Sequence, residues 1–102
     1  MNPGITLVVV MKAKPEKAQQ FERVCLDLVE KSRQDEGCEE YHLHRGKEDP
    51  NLFVYYESWT SEDHLDRHLR KPHTVCFRAN QLEYLEKELE IIYLKMTSQY
   101  RP

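Results

Sequence analysis

Residues 5–13, read ITLVVVMKA, constrain this chain more than any other segment. The run is β-branched, begins after a Pro3-Gly4 breaker, and is apolar on both faces. Ile5, Leu7, Val9 and Met11 share one face, Val8 and Val10 the other. A strand with one wet face alternates apolar with polar residues. This one does not, so it belongs in a sheet covered on both sides. Residues 52–59 and 89–96 repeat the pattern, the latter through Ile91 and Tyr93 on one face and Ile92 and Leu94 on the other.

The intervening segments follow other periods. Pro15 sits where the first turn of a helix tolerates it. Phe21, Val24, Cys25, Leu28 and Ser32 fall at helical spacing, predicting a helix of roughly twenty residues, ~30 Å long. Gly37 is placed to end that helix in a left-handed conformation. Residues 38–47 alternate as a half-polar strand, with Glu39, Tyr41, Leu43 and Arg45 on one face and Cys38, Glu40, His42 and His44 on the other. Glu48, Asp49, Pro50 and Asn51 form a turn, making a hairpin with the next strand. Thr60 and Asp63 match a capping box. The helix they open stops near Lys71, because Pro72 disfavours helical geometry just before it. A second helical segment has Val75, Ala79, Leu82 and Leu85 in register.

Strand, helix, strand, strand, helix, strand is the order of an α+β, ferredoxin-like βαββαβ fold, an antiparallel four-stranded sheet with helices on one face. At 102 residues the chain predicts a single domain with its core about residues 5–96. Helices cover one face only. The apolar residues on the other predict a homodimer, sheet against sheet.

Composition narrows the partners. With 39% hydrophobic and 32% charged residues, the chain reads as globular, neither disordered nor embedded in a membrane. A net charge of -3, with both signs interspersed, leaves no basic face for nucleic acid. Cys25, Cys38 and Cys76 are odd in number and lack C-x-x-C spacing, so neither a disulfide framework nor a zinc knuckle is expected. The first residues carry no basic, apolar and small-residue leader, and free thiols without export point to the cytoplasm.

The chemistry concentrates between Phe53 and Phe77. An aromatic strand delivers Glu57 on the face of Phe53, Tyr55 and Trp59. A carboxylate there needs a partner, such as Arg45 or His68, or has a raised pKa. His68 and His73 flank the break at Pro72, where side chains are free to line a cavity mouth. His42 and His44 share a strand face, and His64 and His68 a helix face. No Cys or carboxylate completes a recognisable ligand spacing around either pair, so no metal site is predicted. His64, among Asp and Arg residues, reads as solvated. No Gly-rich phosphate loop, G-x-S-x-G elbow or H-E-x-x-H is present, and no cofactor is expected.

The opening strand, the Lys-Pro-Glu-Lys helix start, the segment Asp-Glu-Gly-Cys-Glu-Glu-Tyr-His-Leu-His-Arg, the Phe-Val-Tyr-Tyr-Glu-Ser-Trp strand and His-Leu-Arg-Lys-Pro-His together resemble the antibiotic biosynthesis monooxygenase (ABM) domain family. The chain is similar both to small quinol monooxygenases and to the enzyme that processes phosphorylated autoinducer-2. The resemblance implies a dimeric α+β barrel with a pocket between sheet and helices of each subunit. It implies oxidation of electron-rich aromatic or quinol compounds without metal or flavin. It marks Glu57, Trp59, His68 and His73 as catalytic candidates and Tyr41 and Tyr55 as candidates for the substrate pocket, to which Phe77 is added as the end of the Phe53–Phe77 stretch. Haem-degrading relatives carry a helix His where Arg78 stands and a Trp where His68 stands, so haem degradation is not implied. A Gly-Pro-containing loop common in the family is replaced by Leu85-Glu86-Lys87-Glu88, which changes the pocket rim.

The leading expectation is a cofactor-independent monooxygenase of a small aromatic or quinol compound, with His68 as acid/base. One alternative is a cofactor-free isomerase or tautomerase of a small phosphorylated carbonyl compound, with Arg45 and Arg70 neutralising its charge. Another is a non-catalytic, ligand-binding dimeric module.

Overall fold

β1 (Ile5–Lys12) lies inside the sheet, paired antiparallel with β3 (Leu52–Trp59) on one side and β4 (Glu90–Leu94) on the other. β2 (Cys38–Arg45) adds to the far edge of β3, giving the order β2-β3-β1-β4. The computed structural model describes residues 4–101. The start of the chain, including Pro3 and most of the segment read as lacking a leader, lies outside the described residues. A 3₁₀ turn (Pro15–Lys17) leads into α1 (Ala18–Ser32). Two further helices follow β3, namely α2 (Glu62–Leu69) and α3 (Pro72–Ala79), and a second 3₁₀ turn (Gln81–Glu83) precedes β4. This is the ferredoxin-like α+β fold that the order of elements predicts.

The helices pack on one face of the sheet. Leu7, Val9 and Met11 of β1 and Phe53, Tyr55 and Trp59 of β3 meet Phe21, Cys25, Leu28 and Val29 of α1 and Leu65 of α2, all buried. Each large apolar side chain buried this way stabilises the fold by about 1.5–3 kcal/mol before entropy is counted. On the opposite face Val8, Val10, Val54 and Tyr56 are half-buried, while Ile92 and Leu94 are 39% and 41% exposed. No helix among the described residues is long and apolar enough to cross a membrane.

Several local expectations change. Gly37 does not end α1, whose last residue is Ser32; it holds φ +84° in the turn that enters β2. A β-bulge between Cys38 and Glu40 shifts the register, so that Cys38 faces Trp59 and joins the face of Tyr41 instead of opposing it. Ser61, not Thr60, caps α2, accepting a hydrogen bond from the His64 N–H, while the Thr60 hydroxyl bonds the Gly37 carbonyl. The register through Val75, Ala79 and Leu82 fails, because α3 ends at Ala79 and a 3₁₀ turn breaks the 3.6-residue period. Those three are exposed, and Thr74 and Phe77 turn inward instead. Leu85 is buried by another route, bridging to Ala13 beside β1. β4 is shorter than residues 89–96, and as an edge strand it leaves Tyr93 56% exposed.

Candidate active site

β3 alternates its side chains across the sheet, and the residues at 53, 55, 57 and 59 all point toward the helices. Glu57 is therefore only 3% exposed among aromatic rings. Its Oε1 accepts a hydrogen bond from the Trp59 indole N–H at 2.8 Å. Burial pushes the Glu57 carboxyl up from 4.5 to about 7, and the hydrogen bonds of Trp59 and Tyr41 hold it back from rising further. Neither Arg45 nor His68 is its partner. Arg45 lies over the Phe53 ring and 3.6 Å from Glu22, and His68 is bound elsewhere.

α2 carries His68 inward, where it is 2% exposed with its ring centre 4.4 Å from that of Trp59. Its Nδ1 lies 2.8 Å from Asp35 Oδ2, and the same oxygen lies 2.8 Å from His73 Nε2. An ionised carboxylate only accepts, so both imidazoles donate to it. That puts the His68 proton on Nδ1 and leaves Nε2 as the acceptor nitrogen. The Thr74 hydroxyl stands 3.4 Å from that nitrogen. Burial pushes His68 below its usual 6.5, opposed by the Asp35 hydrogen bond, and the net lowering favours the uncharged ring near neutral pH.

Asp35 is the residue that sequence reasoning missed. It sits in the turn between α1 and β2, its N–H bonded to the Ser32 carbonyl at 3.0 Å and its carbonyl to the Cys38 N–H at 3.2 Å. The turn needs glycine at position 37, because φ is positive and a Cβ there would stand 2.3 Å from His64 Cγ. The Asp-Glu-Gly segment was visible in the sequence, but nothing local linked it to histidines 33 and 38 positions away.

Glu57, His68, Tyr41, Tyr55 and Phe77 line one pocket between sheet and helices, with an apolar wall that includes Leu7, Val9, Leu28 and Ile91. Trp59 and His73 do not line it. Trp59 stands behind Glu57, and His73 behind Asp35, facing a neighbouring crevice beside Lys31 and Cys76. Tyr55 donates its hydroxyl to the Cys25 carbonyl at 2.7 Å and offers the pocket only its ring. The cavity volume is about 30 Å³, room for one or two waters, so a ring-sized ligand must displace half-buried side chains such as Phe77 and Leu69.

Asp35, His68 and His73 each offer a ligand atom within 4.8 Å of the others, the donor set of a two-histidine, one-carboxylate centre. Both nitrogens are already hydrogen-bonded to the carboxylate, so a cation there would have to displace their protons. His42 and His44 are exposed on the edge strand, His42 beside Arg33 and Glu40. His64 is not solvated as expected; its Nδ1 lies 2.8 Å from the Ser61 hydroxyl and its side chain is 20% exposed.

Residues 4–80 match the model of the family described as Antibiotic biosynthesis monooxygenase. The "Putative monooxygenase YcnE" of Bacillus subtilis is 31% identical over 93 residues, covering 91% of this chain and 98% of its own. An uncharacterized protein of Synechocystis, sll1783, is 29% identical over 86 residues; the match covers 84% of this chain and 58% of that longer protein. Among solved structures, PA3566 from Pseudomonas aeruginosa superposes with a TM-score of 0.87 at 31% identity, covering 96% of this chain and 97% of the other.

Proposed function

The chain belongs to the antibiotic biosynthesis monooxygenase family, and from that premise we propose that it is a cofactor-independent monooxygenase of a small aromatic or quinol compound. The observation that carries this reading is the pairing of a neutral, Asp35-oriented His68 with a buried Glu57 on one apolar pocket.

In this mechanism the ring of the substrate lies against Tyr41, Tyr55 and Phe77, and His68 Nε2 removes a proton from it. The apolar wall excludes water, so the resulting anion keeps its electrons for dioxygen. One oxygen atom stays on the substrate carbon, and the other leaves as water. The substrate supplies the four electrons: in an anthrone a CH₂ group becomes C=O, and in a quinol a ring C–H becomes C–OH while the quinol becomes a quinone. Glu57, titrating near neutrality, hands a proton to the departing oxygen. Asp35 fixes the tautomer of His68, and Trp59 holds the Glu57 carboxylate; both are positioning residues.

The alternative, an isomerase of a phosphorylated carbonyl compound, called on Arg45 and Arg70. Arg45 is engaged by Glu22 and Arg70 by Asp66, and neither lines the pocket; the cation at its mouth is Arg78, so what favours the oxygenase reading is the apolar wall of Leu7, Val9, Leu28 and Ile91.

Within this reading, residues 5–96 work as one domain and two copies associate through the helix-free face of the sheet. The free thiols of Cys25, Cys38 and Cys76 support a reducing, cytoplasmic setting. The deciding experiment is an oxygen electrode with metal-stripped protein and a panel of naphthoquinols and anthrones. Substrate-dependent uptake that persists with chelator is the expected result. No uptake across the panel, or uptake only after a divalent cation is restored, would overturn the proposal.

A further inference from the structure

Arg78 stands at the C-terminal end of α3 and lines the same pocket as Glu57 and His68. It is exposed, so it borders the mouth, whereas Glu57 and His68 lie on the buried floor. Its guanidinium makes no ion pair or side-chain hydrogen bond among the described residues. Several other cations are paired: Arg67 with Asp63, Arg70 with Asp66, Arg45 with Glu22 and Lys31 with Asp27. A cation near a helix C-terminus gains from the backbone dipole, which accounts for its tolerance there. It does not account for a charge left unpaired at the rim of an otherwise apolar cavity.

We propose that Arg78 is a specificity-determining residue that binds an anionic substituent, a carboxylate or phosphate, on a flat apolar substrate. The inference rests on the reading of this pocket as the substrate site. The geometry gives the ligand a direction. Its apolar body meets Leu7, Val9, Leu28, Phe77 and Ile91, which offer nothing to a polyhydroxylated sugar. Its anion finds no cation on the floor, where Glu57 and the uncharged His68 lie, and so turns outward to Arg78. The ring edge opposite the anion is then presented to His68 and Glu57. Arg presents a planar fork of N–H donors that matches a carboxylate or phosphate with two parallel bonds, which gives orientation as well as attraction.

Redox-inert probes test this apart from any turnover. Binding of 2-naphthoate, 2-naphthyl phosphate and neutral 2-naphthamide is followed through Trp59 fluorescence, in wild type and in Arg78→Gln. The expected result is that wild type prefers the anions over the amide by roughly three- to tenfold, a partly exposed charge-assisted pair. In Arg78→Gln the anions lose that advantage while the amide binds as before, and added salt erodes the preference only in wild type. If naphthoate alone shows the effect, the anion is a carboxylate; if only the phosphate does, it is a phosphoryl group. Equal binding of all three probes by wild type, a preference that survives in Arg78→Gln, or no binding of either anion at millimolar concentration would overturn the proposal. Absence of oxygen uptake with quinols would instead count against the oxygenase reading and leave the anion preference standing.

Discussion

A single carboxylate oxygen, Oδ2 of Asp35, lies 2.8 Å from Nδ1 of His68 and so decides which nitrogen of that ring faces the pocket. The same oxygen also holds His73, which leads away from the pocket toward the neighbouring crevice. The orientation of the His68 ring is therefore set from a loop, not from its own helix.

Replacing Asp35 by Asn keeps the shape but offers an amide that can donate as well as accept. The His68 tautomer is then no longer imposed. Turnover is expected to fall by about 10²-fold, the order of a mispositioned general base. Asp35 raises the His68 pKa against burial, so its loss also moves the His68 titration to lower pH. Imidazole NMR titration of the variant checks the sign; an unshifted or raised value would show that Asp35 does not act through His68.

Glu57 makes stability depend on pH in an unusual direction. Its folded pKa of about 7 lies above the unfolded value of 4.5, so the folded state holds the proton more tightly. Below pH 4.5 both states are protonated and there is no penalty. As pH rises from there to about 7 the unfolded chain ionises first and stability is lost; above 7 the loss is complete. Relative to Glu57→Gln it should amount to on the order of 3 kcal/mol. His68, with its lowered pKa, contributes the opposite trend below 6.5, so the comparison must be wild type against Glu57→Gln. Urea denaturation of both proteins at several pH values reads the difference, which should open between pH 4.5 and 7.

Trp59→Phe keeps an aromatic ring beside His68 but removes the N–H that Glu57 accepts. That bond favours the ionised carboxylate, so the Glu57 pKa should climb further and its carboxyl carbon should titrate at higher pH by NMR. A lost hydrogen bond to a buried acid costs about 1–3 kcal/mol, which thermal unfolding should register. An unchanged titration would separate Trp59 from the proton chemistry.

The helix-free face of the sheet presents Val8, Val10, Val54 and Tyr56 half-buried and Ile92 and Leu94 more exposed. An apolar area beyond ~300–600 Å² is unusual on a monomer. Sedimentation at micromolar concentration should give a mass of two chains. Val54→Asp, which leaves the helix-facing core untouched, should give the 12.3 kDa monomer with unchanged circular dichroism. A wild-type monomer at that concentration would remove the sheet-against-sheet assembly.

What the sequence decided by itself was everything carried by local period. The apolar, β-branched or aromatic runs at residues 5–12 and 52–59 and the helical stripe from Phe21 to Ser32 mark strands and helix, their order gives the topology, and each residue's face follows from backbone geometry. The same rule put Glu57 among Phe53, Tyr55 and Trp59, where a carboxylate needs a partner or has a raised pKa. Tertiary structure decided the rest. The bulge that turns Cys38 inward, the break that leaves Val75 and Leu82 exposed, and the approach of Asp35 to His68 across 33 residues all depend on how finished elements pack. A hydrogen bond between side chains on a loop and a helix leaves no periodic trace, because neither partner's local conformation requires the other. Arg78 replaced Arg45 and Arg70 as the cation of the pocket for the same reason: which arginine faces a cavity is set by packing, not by charge pattern.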